Sequence, residues 1–332
     1  MHSLLQKLFE GEVLEQFESQ TLFQSIIAGK LESAQLAGAL VAMKIRGEKP
    51  QEIAGAANAL LLDAKPFPRP DYPFADIVGT GGDGANTINV STASAVVAAT
   101  LGYKIAKHGN KSVSSKSGSS DLLNAFGISL NLPPETSKQA LDNLNLCFLF
   151  APHYHTGFKH AVEVRQSLKT RTIFNVLGPL INPARPPFAL IGVYNKSLIR
   201  PIAETLHALH YQKAIVVHGN GLDEITVDGE TEIAELKDGK IVEYTVAPED
   251  FGLSRYPIES LVGGCPLENK RLITQLLQGH GEKSHNTAVA LNVSMLMRLF
   301  GEDDLKANAQ KVLNILASGE CYQTIQKLAL MH

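Results

Sequence analysis

Three segments of this 332-residue chain carry side chains that could grip an anion or a metal ion. The first runs from Phe74 to Gly102, FADIVGTGGDGANTINVSTASAVVAATLG, and reads as strand, glycine-rich turn, short loop and helix. Gly79, Gly81, Gly82 and Gly84 permit positive φ and close approach of backbone to a ligand. Asn89, Ser91 and Thr92 fall where the helix begins. Free N–H groups, the helix dipole and hydroxyls make such a position an anion site. The turn lacks the GK[ST] of a Walker loop, and the acid inside GTGGDG spoils a Rossmann fingerprint. The second segment, KHGNKSVSSKSGSSDLLNAFG, follows the apolar run YKIA. It gathers Lys107, His108, Lys111 and Lys116 with Ser112, Ser114, Ser115, Ser117, Ser119 and Ser120, a density of charge partners and donors suited to many phosphate oxygens. Ser119 or Ser120 is expected to cap a helix ending at Gly127. In the third segment, Asp223 and Glu224 stand just beyond the run KAIVV. Alone they would read as a turn and a solvated face; beside two phosphate loops they invite magnesium, which takes carboxylate and phosphate oxygens together.

The elements around these segments explain how they could meet. Leu4 to about Leu62 shows helical spacing in LLQKLF, LFQSIIAGKL and AQLAGALVAMKI. Pro66, Pro68, Pro70 and Pro73 then mark an extended linker and a domain boundary. Beyond it, short apolar runs (FADIVG, YKIAK, CFLFA, FALIGVY, KAIVVHG) alternate with helical stretches, the pattern of a largely parallel sheet. Consecutive loops at the carboxyl ends of parallel strands converge on one crevice. ETEIAELKDGKIVEYTV has DG between alternating runs and predicts a hairpin; from Leu267 on the chain is again helical. The fold class expected is therefore α/β, with a small all-helical domain and a larger α/β domain whose mostly parallel central sheet is flanked by helices.

Composition narrows the function classes. Hydrophobic residues make up 44% and charged residues 19%, with net charge −3. No basic stripe suggests a nucleic-acid partner. Cys147, Cys265 and Cys321 form no CxxC pair or disulfide framework, which suits a reducing compartment, and Cys147 in CFLFA reads as a buried small hydrophobe. MHSLLQKLFEGE is not a secretory signal, and runs such as GALVAM are too short to span a bilayer, so a soluble cytoplasmic protein is expected with no membrane partner. His153 and His155 in HYH lack an apparent third metal ligand, and pocket lining suits His155 better.

GTGGDG, NxST, KHGN followed by SSKSGS, APxxH, RTIFNxLGPLxNPA and GLDE occur here in one order, and over nearly its whole length the chain resembles the anthranilate phosphoribosyltransferases. The resemblance implies transfer of the phosphoribosyl group from phosphoribosyl pyrophosphate (PRPP) to the amine of anthranilate in tryptophan biosynthesis. It implies that Gly79, Gly82, Asp83, Thr87, Asn89, Val90, Ser91 and Thr92 surround PRPP, with Lys107, His108, Gly109, Asn110 and Lys111. Ser112, Val113, Ser114, Ser115 and Ser119 complete that set. Ser91, Asp223 and Glu224 would hold magnesium, two ions per site, and Gly79, Asn110, His155, Arg165 and Gly178 would meet anthranilate. Lys107 would act electrostatically on the departing pyrophosphate. The resemblance further implies a helical domain of residues 1–66, completed by helices within about 157–186, a PRPP-binding domain of 67–332, and a homodimer through the helical domains. Two positions depart from the family pattern: Thr156 where proline usually follows the histidine of APxxH, and Lys111 where arginine usually follows KHGN. Pyrimidine nucleoside phosphorylases share the architecture, but the GLDE pair and intact KHGN point to the transferase. A catalytically silent relative that binds nucleic acid would show eroded motifs and a basic stripe.

Overall fold

The structure is a computed structural model that describes residues 1–111 and 116–331. The expected PRPP contacts at Ser112, Val113, Ser114 and Ser115 lie outside the described residues. The chain opens with helices α1 (His2–Phe9), α2 (Gln16–Ile27), α3 (Ser33–Arg46) and α4 (Pro50–Asp63). Apolar residues at helical spacing, such as Leu36, Ala39, Leu40 and Met43 on α3, form the buried faces. Proline at the start of α4 costs nothing, because that N–H would have no helical partner. α2 and α4 cross so closely that a Cβ on Gly55 would come within 2.2 Å of the Gln16 carbonyl oxygen.

After the proline-rich connection come β1 (Ala75–Gly79), α5 (Val90–Thr100), β2 (Ile105–Gly109), α6 (Ser119–Ala125), α7 (Pro134–Leu144) and β3 (Leu146–Phe150). Next are the short α8 (Ala151–Tyr154), α9 (Lys159–Leu168), the short α10 (Phe174–Leu177), β4 (Phe188–Gly192), α11 (Ile199–Ala208) and β5 (Lys213–His218). The hairpin β6 (Thr231–Lys237) and β7 (Lys240–Val246) precedes α12 (Pro266–Leu277), α13 (Lys283–Leu299), α14 (Leu305–Ser318) and α15 (Cys321–Ala329). One seven-stranded sheet has the order β3-β2-β1-β4-β5-β6-β7. Its first five strands pair in parallel, and β6 and β7 are antiparallel. The expected hairpin turn is Asp238 and Gly239, both at positive φ (51° and 71°), as a two-residue turn matching strand twist requires.

Both sheet faces are buried. Leu190, Ile215, Val217 and Ile233 belong to one core with α5 and α13. Ala189, Ile191, Ala214, Val216, Ala234 and Leu236 face a second core shared with α11 and the N-terminal helices. That second core also takes Ala161 and Val164 of α9, which packs against α2 and α3. From β1 the chain proceeds to β2 and β3 on one side and returns to β4 on the other, so the strand order reverses between β1 and β4. Crevices at such reversals, outside the carboxyl ends of the strands, are where ligands bind in open α/β sheets.

One local expectation is corrected. α6 begins at Ser119 with Gly118 in the N-cap position, so neither serine caps it. The Ser119 hydroxyl is instead drawn to the Asn110 carbonyl oxygen at 3.3 Å, and the Gly118 N–H donates to Asp121 Oδ2 at 3.0 Å. The C-terminal end matches the sequence reading: Gly127 follows α6 at φ 82°. Cys147 is buried, as expected of a small apolar residue. No helix among the described residues is long and apolar enough to cross a membrane.

Candidate active site

The acid pair reaches the β1/β4 reversal. Gly79 and Gly192 are register partners at the ends of β1 and β4. A Cβ on Gly79 would lie 2.2 Å from Asp223 Oδ2, and one on Gly192 would lie 1.6 Å from the Asp223 carbonyl oxygen. Only glycines leave room for Asp223 there. The Gly81 N–H donates to Asp223 Oδ2 at 2.6 Å, and the Ser91 N–H at the start of α5 donates to Glu224 Oε1 at 3.1 Å. The glycine-rich turn, the head of α5 and the acid pair therefore meet.

Lys107 of β2 enters the same place from below. It is buried, and its ammonium donates to the Ile77 carbonyl at 2.6 Å and to Ser91 Oγ at 3.3 Å. Burial pulls its pKa down, while Asp76, Glu224 and Asp223 pull it back up. Burial pushes the carboxyls of Asp223 and Glu224 well above the usual range; the Asp83 charge adds to this at Asp223, and the Asp223 charge at Glu224. Asp83, Asp223 and Glu224 thus crowd a crevice with one buried lysine, an arrangement that favours an added cation. No group of three or more His, Cys, Asp or Glu among the described residues is arranged to hold a metal alone.

Asn89, the residue before α5, ties the loops together. Its Nδ2 donates to the Ser117 carbonyl at 3.0 Å, and its Oδ1 accepts from Asn269 Nδ2 of α12 at 2.9 Å. The Lys116 N–H donates to Asn86 Oδ1 at 3.3 Å, a second stitch between the glycine-rich and serine-rich segments. Thr87 bridges to Val262, Val90 is buried as the first residue of α5, and the buried Thr92 hydroxyl has no partner among the described residues. Asp83 Oδ1 accepts from the Ala85 N–H at 3.2 Å. A Cβ on Gly109 would press on both the Ser119 hydroxyl (2.3 Å) and the Phe148 ring (2.8 Å), so the end of β2 is closely packed.

A second group lies toward the helical side. His108 Nδ1 donates to the Gly178 carbonyl at 3.1 Å, and His155 Nε2 donates to the Ile181 carbonyl at 2.8 Å. An aromatic chain continues from there: His108 to His155 (5.5 Å), His155 to Phe158 (6.1 Å) and Phe158 to Phe174 (5.4 Å between ring centroids). The Arg165 guanidinium of α9 sits 5.0 Å over Phe174 at the far end. So His108, His155, Gly178 and Arg165 share one contiguous wall. Asn110 and Lys111 are exposed beside it, the Lys111 N–H donating to Asn110 Oδ1 at 2.7 Å. Thr156 is exposed in the turn after His155, and the His153 ring nitrogen pairs with Lys65 at 3.0 Å, away from any metal role.

Several contributors escape a reading of the loops alone. Asp76 lies inside β1, buried, and accepts from the His108 N–H at 3.3 Å and from Asn182 Nδ2 at 2.8 Å. An acid within an apolar strand was the signal. Gly192, Asn269, Arg171 and Tyr194 carry no comparable mark, because their neighbours are distant in sequence.

Comparison with known proteins agrees with this geometry. Residues 2–64 match the glycosyl transferase family, helical bundle domain, and residues 71–322 match the glycosyl transferase family, a/b domain. An anthranilate phosphoribosyltransferase of Erwinia tasmaniensis is 64% identical over 329 residues, 99% of each chain. The chain belongs to the anthranilate phosphoribosyltransferase family. The crystal structure of the Thermus thermophilus family member superposes with TM-score 0.94 at 40% identity, over 99% of this chain and 98% of that one. The Saccharomyces cerevisiae family member in complex with PRPP and Mg superposes with TM-score 0.90 at 28% identity, over 98% and 96%.

Proposed function

We propose that this chain joins anthranilate to the ribose of PRPP, giving N-(5-phosphoribosyl)anthranilate and pyrophosphate in tryptophan biosynthesis. The observation that carries the reading is the meeting of the glycine-rich turn, the head of α5 and the acid pair over Gly79 and Gly192. The donor set there fits magnesium: two carboxylates held by backbone N–H groups, destabilised as charges by burial, by Asp83 at Asp223 and by Asp223 at Glu224. Magnesium binds through one or two carboxylates with substrate phosphates rather than in an all-protein cage. Ser91, Asp223 and Glu224 would hold the ions, two per site, and magnesium supplies charge neutralisation of pyrophosphate.

The PRPP-binding set is Gly79, Gly82, Asp83, Thr87, Asn89 to Thr92, Lys107 to Ser115, and Ser119. Amides of the glycine-rich turn and of the α5 head present N–H groups to phosphate oxygens. Lys107, fixed by Ile77 and Ser91, offers positive potential without moving. Arg165 pairs with the anthranilate carboxylate, and Gly79, Asn110, His155 and Gly178 bound that ring. The arylamine is neutral near pH 7 and exposes its lone pair without a base, so rate acceleration comes from positioning and electrostatics. Residues 1–66 with the helices of about 157–186 form the helical domain, and 67–332 the larger one; α9 packing on α2 and α3 supports this. The same reading takes the chain as a homodimer through its helical domain, where Phe9, Phe17 and Ile45 are exposed. A biosynthetic role supports a cytoplasmic location.

The test follows loss of anthranilate fluorescence on adding PRPP and magnesium, then repeats it with chelator. Turnover should stop with chelator. Asp223→Ala and Glu224→Ala should each lower it by roughly a hundredfold, the scale of losing a fixed electrostatic contact in an active site. Undiminished turnover in both variants at saturating magnesium would remove the pair from the reaction.

A further inference from the structure

The glycine-rich turn is gripped at its start and middle through its own N–H groups: the Thr80 N–H donates to the Gly192 carbonyl at 2.9 Å, and the Gly81 N–H to the Asp223 carboxylate. Its far end is gripped instead through a carbonyl. Arg171, in the loop between α9 and α10, donates through Nη2 to the Gly82 carbonyl oxygen. The same guanidinium lies 3.9 Å from the centroid of the Tyr194 ring, beyond β4. Tyr194 is itself stitched to the turn, its N–H donating to Thr80 Oγ1 at 3.0 Å. On the other side, Lys44 of α3 donates to Thr170 Oγ1 and steadies the loop that carries Arg171.

We propose that Arg171, stacked on Tyr194, is a positioning residue that fixes the glycine-rich turn in its anion-binding form. Gly81 and Gly82 stand at φ 67° and 81°, where glycine moves between backbone regions at little cost. A peptide plane next to such a residue, as the Gly82–Asp83 plane is, can swing unless something holds it. In a trans peptide the carbonyl and the following N–H point in opposite directions. By drawing the Gly82 carbonyl toward its guanidinium, Arg171 turns the Asp83 N–H away from itself. A swung plane would offer a carbonyl dipole to an anion in place of a donor. The clamp also joins the turn to the loop six residues beyond Arg165, so the sugar-donor turn and the acceptor wall share a support.

This inference rests on the sugar-donor reading of the turn, and the experiment separates the two. Hydrogen–deuterium exchange on the free protein reads the clamp without any substrate. Arg171→Ala should speed exchange in the peptide covering 79–86, with the remaining protein and the thermal midpoint little changed. Steady-state kinetics then reads its use. Arg171→Ala should raise the KM for PRPP by about tenfold, the scale of one hydrogen bond to a charged group, with smaller changes in kcat and in the KM for anthranilate. Arg171→Lys keeps the charge but loses the flat stacking surface, and should fall between. Tyr194→Phe, which keeps the ring, should lose less than Tyr194→Leu. Unchanged exchange in 79–86, or equal rises in both KM values, would overturn the proposal. Absence of transfer by the unmodified chain would instead overturn the activity reading, and the exchange result would still decide whether the clamp exists.

Discussion

Gly79 and Gly192 lie side by side at the ends of β1 and β4, and Asp223 presses on both. They differ in what presses. At Gly79 the nearest atom is the Asp223 carboxylate, which can rotate aside; at Gly192 it is Asp223 backbone, which cannot. Gly79→Ala should therefore cost activity while the thermal midpoint stays near that of the parent. Gly192→Ala should cost both, with roughly 3 kcal/mol of stability lost to forced backbone movement. Turnover and thermal melts on the two variants check this; equal stability would mean the β5 loop yields more easily than its packing suggests. The sequence drew attention to Gly79 because it sits in a run of glycines. Gly192 closes an ordinary strand, FALIG, and only the partner that arrives from thirty-one positions later reveals why it has no side chain.

At the scale of elements, the parallel strands were legible because burial on both faces makes each an apolar run, and DG between alternating runs announced the hairpin. The serine cap failed because Gly118 takes the N-cap position, leaving Ser119 inside the first turn, and the Asp121 carboxylate accepts the Gly118 N–H. Helix α9 shows a similar limit. Its pattern gives a helix, but the role of Arg165 depends on Phe174 and on packing against α2 and α3, neither of which is local. Burial pulls the Arg165 pKa down, yet a guanidinium keeps its proton in proteins, so Arg165 stays a cation in the wall shared with His155. Arg165→Glu should raise the anthranilate KM by about tenfold or more while moving the PRPP KM much less, since a charged contact to one substrate is reversed. Equal rises would show that α9 supports both sites and would count against a direct contact with the carboxylate.

For the molecule as a whole, the buried groups near β2 set an acid response that composition could not reveal. Burial holds His108 neutral down to a pKa of about 3, with the His155 ring and Lys107 pushing the same way. An unfolded histidine titrates near 6.5. Between those values the unfolded chain takes a proton that the folded chain refuses, so stability falls as pH falls, by at most about 1.4 kcal/mol per unit. Asp76 acts oppositely. Burial raises it to about 6, against about 3.9 when unfolded, so the folded chain takes the proton first and gains stability on acidification through that window. His155, also lowered by burial, sides with His108. The carboxyls of Asp223 and Glu224, raised by burial to about 7 and about 8, side with Asp76, so acidification sets two buried imidazoles against three buried carboxyls. His108→Asn keeps a donor for the Gly178 carbonyl and removes one imidazole that resists acid, so its unfolding free energy should gain on the parent's as pH falls. Urea midpoints from pH 7 to 4 read the slope directly. Parallel curves for the two proteins would mean that His108 charges in place, and that the wall it shares with His155 admits more water than its burial implies.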